Sequence, residues 1–236
     1  MADRRHSAAL FKAVVGQGGG PQKTILDELR RVILAGTVPP GTPIPVSELA
    51  EMFKVSHIPV RESLKTLTGE GLVQHRPNAG YSVAQLTSSE LAEMYIVRET
   101  LETAAMAAAV HNATDADRMH LSEVHHALEQ ALKFDDAQAY HRQSRDFHMA
   151  LSRPSRMLRL VHMLESAWNI TEPVQLMVHV EQEQRTVLHE DHRLMLTAFL
   201  EGDADSLLSI SAVHNKRLNT VVASLPTDTG LIIQDS

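Results

Sequence analysis

The chain contains no cysteine among its 236 residues. Disulfide bonds, thiolate metal ligands and a cysteine nucleophile are therefore excluded. It also lacks an apolar run long enough to cross a membrane, and it lacks the basic start, apolar stretch and small-residue cleavage site of a signal peptide. From these absences we expect a cytoplasmic protein with no membrane contact.

The two ends of the chain differ in charge. The net charge is −7, but residues 1–86 hold ten Lys and Arg against seven Asp and Glu, whereas residues 87–236 hold twelve against twenty-two. Three of the fourteen histidines lie in the first part and eleven in the second. This asymmetry indicates two domains with different partners, because a basic domain attracts phosphate and an acidic domain stays away from DNA.

Residues 48–72 form the stretch around which the first domain is organised. The pattern predicts two short helices joined by a tight turn at residues 54–56. Each helix has an apolar stripe: Leu49, Ala50 and Phe53 on the first, and Val60, Leu64 and Leu67 on the second. On the opposite face of the second helix, His57, Arg61 and Lys65 recur one turn apart. This arrangement suits entry into a DNA major groove, although a solvated basic face on a small helix pair would give the same pattern.

The flanking residues predict a winged helix. Residues 72–75 and 81–83 are typical of two strands, and residues 76–80 of the turn between them. Upstream, residues 23–36 predict a supporting helix, with Gly36 placed as its C-cap.

The fixed residues of this segment closely resemble those of the GntR family of bacterial transcription regulators. They are Ile33-Leu-Ala-Gly-Thr-Val-Pro-Pro-Gly41, Leu49-Ala50, Val55-Ser56, Pro59-Val-Arg-Glu62, Leu67 and Glu70-Gly-Leu-Val73. The resemblance covers residues 22–86 and implies a homodimer on a pseudo-palindromic DNA operator. The positions it implies for DNA contact are Ser47, Ser56, His57, Ile58, Arg61, Lys65, His75, Arg76 and Gly80. The chain departs from the family at His57, where arginine is common, and at Ile58, where threonine is common.

From residue 88 to about residue 225 the apolar pattern is helical throughout. Six helices are predicted, at residues 88–111, 114–132, 136–151, 156–171, 174–200 and 203–225. The fifth is open to interruption after Pro173. Six antiparallel helices with short connections predict an all-α bundle. The complete expectation is a mainly α protein with a flexible arm (1–20), a winged helix-turn-helix domain (21–86), a helical effector-binding and dimerisation domain (87–225) and a C-terminal tail (226–236).

The helical part resembles the FCD domain of FadR-like regulators. The matching residues are Val97-Arg-Glu-Thr-Leu-Glu102, Asp146-Phe-His-Met-Ala-Leu151, Asp191-His192, Ala198, Gly202-Asp203 and His214. The resemblance implies a transcriptional regulator that senses a small carboxylate. The expected role is that of a repressor of a metabolic operon.

Three histidines on three helices, His148, His192 and His214, should face the interior of the bundle. The family's usual fourth ligand, an Asp or Asn one turn before the first histidine, is replaced by Ser144. Imidazole ligands favour a divalent transition metal, zinc or nickel above all, over magnesium or calcium. The alternative is that all three are ordinary hydrogen-bonded core histidines.

Arg98, Ser144 and Arg145 are the candidate effector-binding residues. Arg98 matches a family arginine near the effector, and a buried arginine is complemented by an anionic ligand. An ion pair with Glu102 at i+4 would balance the charge of Arg98 equally well. The alternative for Arg145 is a position on a solvent-exposed helix face.

A second function also fits three histidines with an open position, namely a hydrolytic metalloenzyme. Such an enzyme needs a general base close to the metal-bound water. Glu190 and Asp191 flank His192 but should point away from its face, and no HExxH-like pairing is present. The winged helix therefore favours the regulator.

Overall fold

The computed structural model describes residues 7–12 and 24–225. These residues form two compact units: one contains the chain up to residue 87 together with residues 169–174, and the other contains residues 88–168 and 175–225. The predicted tail at residues 226–236 lies outside the described residues, as do residues 1–6 and 13–20 of the predicted arm.

The winged helix-turn-helix predicted from the sequence is confirmed. Its elements are α1 (Thr24–Leu34), β1 (Pro43–Ile44), α2 (Val46–Phe53), α3 (His57–Gly69), β2 (Val73–Arg76) and β3 (Gly80–Val83). The strands form an antiparallel sheet in the order β1-β3-β2. The sequence did not predict β1, because two residues that include a proline carry no alternating pattern.

The α2–α3 turn follows from its backbone conformation. Lys54 adopts the left-handed conformation with φ 55°, and the N–H of Val55 donates to the carbonyl of Ala50 at 2.9 Å. This bond closes the C-terminus of α2 and lets α3 start at once. The apolar stripes of both helices then meet: Leu49, Leu64 and Leu67 are fully buried in one core.

Residues 7–12 are helical, and Phe11 is completely buried within the core of the winged helix. We expected a flexible arm across residues 1–20, so this segment differs from that expectation. A large aromatic side chain removed from water supplies the apolar area that orders a short segment.

The second unit is built from the six predicted helices. They are α4 (Ser88–Asn112), α5 (Asp115–Lys133), α6 (Ala137–Ser152), α7 (Leu158–Thr171), α8 (Gln182–Glu201) and α9 (Ala204–Ala223). α5 packs on α6 and α8, and α9 packs on α8 and α4. None of the described helices is long and apolar enough to cross a membrane.

The ends of these helices have local causes. Thr114 and Asp117 form a reciprocal capping box at the start of α5. Asp136 caps α6 and Asp203 caps α9, and a side-chain cap of this kind is worth about 1 kcal/mol. Gly202 ends α8 with φ 77°, a conformation that favours glycine. The predicted interruption of the fifth helix is confirmed by two short 3₁₀ turns, Glu172–Val174 and Leu176–His179, which precede α8.

Candidate nucleic-acid interface and metal centre

The nine positions implied for DNA contact are all exposed in the winged helix. They are Ser47, Ser56, His57, Ile58, Arg61, Lys65, His75, Arg76 and Gly80. On α3 they lie opposite the buried residues Val60, Leu64 and Leu67. The helix therefore keeps a polar face available to a partner while its apolar face holds it in the domain. Their contacts with DNA remain a prediction.

On the basic face of α3, Lys65 forms an exposed ion pair within the helix. Lys65 Nζ lies 2.8 Å from Glu62 Oε1, and both side chains are more than 60% exposed. An exposed pair of this type contributes little stability, so Lys65 can exchange Glu62 for a phosphate oxygen. Arg61 is exposed beside this pair.

The wing is shaped by its tip and by one ring contact. Asn78 has φ 65° and Gly80 has φ 90°, so the chain reverses between β2 and β3 through left-handed residues. The imidazole of His75 packs on the ring of Tyr81, with centroids 4.5 Å apart. This contact orients His75 at the base of the turn.

Three helices bring His148, His192 and His214 together inside the second unit. Their side chains are buried, at 2%, 1% and 2% exposure, and each offers a ligand atom within 4.8 Å of the others. The Nε2 atoms of His148 and His192 are 3.2 Å apart. Two nitrogens bound to one tetrahedral zinc ion at about 2.0–2.1 Å lie roughly 3.3 Å apart, so this spacing fits a shared divalent ion.

Two buried carboxylates lie behind these histidines. Glu102 Oε2 is 2.9 Å from His148 Nδ1, and Glu102 Oε1 accepts a bond of 3.0 Å from the indole N–H of Trp168. Asp191 Oδ2 is 3.5 Å from His214 Nδ1, at the outer limit of a hydrogen bond, and Asp191 Oδ1 accepts from Arg217 at 2.6 Å.

Sequence reasoning did not assign either carboxylate to the site. Asp191 was expected to point away from the face of His192, and it does so by turning to His214 on the neighbouring helix. Glu102 was considered only as the partner of Arg98. Only the packing of α4 against α6 and of α8 against α9 reveals both contacts.

Burial sets the charge of the histidines. It lowers the pKa of His192 well below the ordinary value, and the neighbouring His214 and His148 lower it further. It also lowers the pKa of His214, although the contact with Asp191 opposes this. Burial alone would raise the pKa of Glu102, but the contact with His148 and the charge of Arg98 outweigh it, so the pKa lies below its usual value. His192 and His214 are therefore neutral near pH 7, which is the form that binds metal.

The candidate effector residues occupy different environments. Ser144 is buried one turn before His148, and Asp146 is exposed, in agreement with the expectation that Asp146 cannot replace the missing ligand. Arg98 is 4% exposed. Its Nε lies 3.8 Å from Glu102 Oε1, and its guanidinium lies over the ring of Trp168. Arg145 is half-buried.

Three further histidines of the helical domain are buried. His125 and His189 stack with ring centroids 4.9 Å apart, and burial lowers the pKa of each. His189 lies one turn before His192 on α8. This i, i+3 spacing was the only available signal, because nothing in the sequence places α5 opposite α8. His141 is the third, and its Nδ1 accepts from the backbone N–H of Met177 at 3.5 Å.

The metalloenzyme alternative requires a carboxylate that can act as a base on metal-bound water. Among the described residues, the two buried carboxylates next to the histidines both face Nδ1 atoms, and in His148 this is the nitrogen other than the Nε2 that lies 3.2 Å from His192. They are placed to orient imidazoles and are poorly placed to take a proton from a water molecule at the centre.

Comparison with known proteins identifies the two domains. Residues 93–217 match the family model described as the FCD domain, and residues 21–83 match the model described as bacterial regulatory proteins, gntR family. The HTH-type transcriptional regulator McbR of Escherichia coli (strain K12) is 30% identical over 142 residues, which cover 60% of this chain and 64% of that protein. The gluconate operon transcriptional repressor of Bacillus subtilis (strain 168) is 28% identical over 197 residues, covering 79% of this chain and 78% of the repressor.

A solved structure has the same fold. The structure of E. coli McbR/YncC aligns with a TM-score of 0.76 at 24% identity, covering 87% of this chain and 98% of that one. The FCD match alone spans more than half of the chain, and the proteins similar in sequence are named as transcriptional regulators. The chain thus belongs to the GntR family of bacterial transcriptional regulators and carries an FCD domain.

Proposed function

We propose that this regulator represses a metabolic operon and responds to a small carboxylate through a divalent metal ion held by His148, His192 and His214. One observation supports this proposal above all. Three buried imidazoles from three helices each offer a ring nitrogen within 4.8 Å of the others. A regulator needs an inducible site inside its sensory domain, and a metal ion with three protein ligands leaves coordination positions for a ligand.

The donor set favours a transition metal. Imidazole nitrogens suit zinc and nickel, whereas magnesium and calcium prefer oxygen ligands. Ser144 stands where the family has a carboxylate or amide ligand, so the ion would retain a position on that side for water or an effector carboxylate. Zinc or nickel is therefore the ion that we propose for this site.

The proposal of a carboxylate effector is supported by the positive charge of Arg98 and by the name of one relative. Arg98 is buried on α4 near His148 and Trp168, where an anion would be stabilised. Ser144 and Arg145 lie on α6 within one turn of His148 and supply a hydroxyl and a second cation. The relative from Bacillus subtilis is named the repressor of a gluconate operon, and gluconate is a carboxylate of the proposed class.

For DNA we propose a homodimer that presents two copies of α3 to a pseudo-palindromic operator. A single α3 covers one half-site, so specific binding calls for two winged helices related by a two-fold axis. Arg61 would contact a base edge, and Ser56 and Lys65 would bind phosphates. The cytoplasm, where bacterial DNA lies, is the proposed location.

α4 offers a route from the ligand to DNA. It begins at Ser88, and only residues 84–87 separate it from strand β3 of the wing. The same helix carries Arg98 and Glu102, and Glu102 contacts the metal-site residue His148. A ligand that draws Arg98 towards the ion would therefore act on the helix that leads directly to the wing.

The proposal is tested on an operator selected from random duplex DNA. Metal-free, zinc-loaded and nickel-loaded protein would be titrated with that DNA in the presence of gluconate and other small carboxylates. We expect at least one carboxylate to change operator affinity only in the metal-loaded protein, and His192→Ala to abolish the change while leaving metal-free DNA binding intact. His162→Ala, at an exposed histidine on α7, is the matched control. A carboxylate response that survives chelation and His192→Ala would refute the role of the metal.

A further inference from the structure

Two buried carboxylates lie beside two of the three histidines. Glu102 on α4 contacts His148 on α6 at 2.9 Å, and Asp191 on α8 contacts His214 on α9 at 3.5 Å. In both pairs the carboxylate meets Nδ1. The exposures of the two carboxylate side chains are 2% and 5%, so neither contact is a surface accident.

A carboxylate hydrogen-bonded to Nδ1 fixes the chemistry of the other nitrogen. The Glu102 oxygen 2.9 Å from His148 can only accept, so Nδ1 must carry the proton, and Nε2 of the neutral ring then has a lone pair. That Nε2 is the atom 3.2 Å from Nε2 of His192. Glu102 therefore also fixes the ring plane, which aims the lone pair at the shared centre. Asp191 does not fix His214 in this way, because Asp191 Oδ2 and His214 Nδ1 have no hydrogen-bond partner among the described residues.

The carboxylates also provide charge that the ligands do not. Three neutral imidazoles leave a divalent ion with both of its charges, and Ser144 brings no charge where the family has Asp or Asn. Glu102 and Asp191 together bring two negative charges into the same buried region. A divalent ion would therefore be balanced without a carboxylate in direct contact with it.

We propose that Glu102 is a positioning residue, which holds His148 in the Nδ1–H tautomer, and that Glu102 and Asp191 together supply the counter-charge for a metal ion in a site without a carboxylate ligand. This inference rests on the proposed metal site, but its first consequence holds without metal. The tautomer of His148 is fixed by the protein alone.

Amide substitution is the direct test. Glu102→Gln has one carbonyl oxygen for two N–H donors, His148 Nδ1 and Trp168 Nε1, so its amide N–H₂ must face one of them. If it faces His148, that ring has to place its proton on Nε2 and can no longer bind metal through that atom. Asp191→Asn removes the negative charge beside His214 while keeping the size of the side chain.

Three measurements test the inference. The first is ¹⁵N-detected histidine NMR of the metal-free wild-type protein, for which we expect the Nδ1–H tautomer at His148. The second is competition with a chromophoric chelator for zinc, for which we expect each amide variant to lose about 10- to 100-fold in affinity. The third is the thermal midpoint and DNA binding of each variant, which report on folding.

Matched controls separate positioning from general effects of charge or packing. Glu190→Gln removes an exposed carboxylate next to Asp191, and Glu93→Gln removes one from the exposed face of α4. Both controls should bind zinc with near wild-type affinity.

The outcomes distinguish this inference from the metal proposal. Wild-type protein that shows the Nδ1–H form of His148 but binds no zinc would refute the metal proposal and the counter-charge role, while leaving the tautomer assignment standing. Wild-type protein that binds zinc but has the Nε2–H form of His148 in the metal-free state would overturn the positioning role. Amide variants that fold and bind zinc as tightly as the controls would also overturn it. Should Glu102→Gln fail to fold, Asp191→Asn and the wild-type tautomer of His148 still decide the question.

Discussion

At the residue scale, Ser144 bears most directly on the proposed metal site. It is buried one turn before His148, where the resemblance to the FCD family implies a carboxylate or amide ligand. A hydroxyl is a poor ligand for zinc compared with a carboxylate. The proposed site therefore has three imidazole nitrogens, with the carboxylates of Glu102 and Asp191 behind them.

Ser144→Asp restores a carboxylate at this position. We expect zinc affinity to rise by about tenfold or more, since about 1.4 kcal/mol of added binding energy gives a factor of ten. A carboxylate effector should at the same time lose its effect on operator binding, because the new side chain takes the position that it would use. Chelator competition measures the first change, with Ser209→Asp, at an exposed position of α9, as the control. Unchanged affinity would show that residue 144 does not face the ion.

The buried histidines make stability depend on pH. Burial lowers the pKa of His125, His189, His192 and His214, so the unfolded chain binds more protons than the native protein as pH falls through about 6.5. Stability is therefore highest above that pH and falls below it, by up to about 1.4 kcal/mol per pH unit for each such histidine. Urea unfolding of metal-free protein at pH 7.5 and 5.5 measures the loss. His189→Gln should reduce it, and His126→Gln, at an exposed site on α5, should not. Equal stability at both values would contradict the burial argument.

The residues that the sequence could and could not predict differ for a physical reason. His148, His192 and His214 were found because each fits a family spacing within its own helix. Glu102 and the His125–His189 stack act across helix pairs, and periodicity within one helix does not show which residue of another helix lies opposite. The long-range partners in the site therefore required the structure.

At the element scale, helix starts and ends were predicted closely because each has a local cause. Thr114, Asp136 and Asp203 cap helices at the positions where the sequence placed their starts. β1 escaped prediction, since two residues pair with β3 only after α2 and the wing have folded around them. The helix at residues 7–12 escaped for the same reason, because Phe11 gains its burial from a core built by distant residues.

The exposed face of α3 should carry the sequence specificity. Arg61 projects from the middle of this face, so Arg61→Ala should weaken binding to a selected operator by about 1–3 kcal/mol and relax the base preference at one position. Fluorescence anisotropy on operator and scrambled duplexes measures both effects. Arg159→Ala removes an exposed arginine from α7 and should change neither. An equal loss on operator and scrambled DNA would show that Arg61 contacts only phosphate.

At the scale of the whole molecule, charge is divided between the two domains. The N-terminal 86 residues carry three more basic than acidic residues, and the remainder carries ten more acidic than basic residues. The acidic surface of the second part repels DNA, so binding is directed to the winged helix. The fold at this scale followed from the sequence, because each domain has its own apolar pattern and family spacing.

Assembly is a prediction at the same scale. One recognition helix reads a single half-site, so we expect a homodimer that binds two half-sites about one helical turn of DNA apart. Sedimentation velocity should give a dimer mass for the free protein and one dimer per operator. A monomer both free and on the operator would contradict this.

The central claim is that His148, His192 and His214 hold one divalent ion in the sensory domain of this regulator. Its most direct test is a zinc titration of metal-free protein against a chromophoric chelator, for the wild type, His192→Ala and the exposed control His162→Ala. We predict one zinc ion per chain for the wild type and the control, and a loss of at least about 100-fold in affinity for His192→Ala, equivalent to about 2.7 kcal/mol. Equal zinc affinity in wild type and His192→Ala would show that the three histidines are structural and would contradict the account.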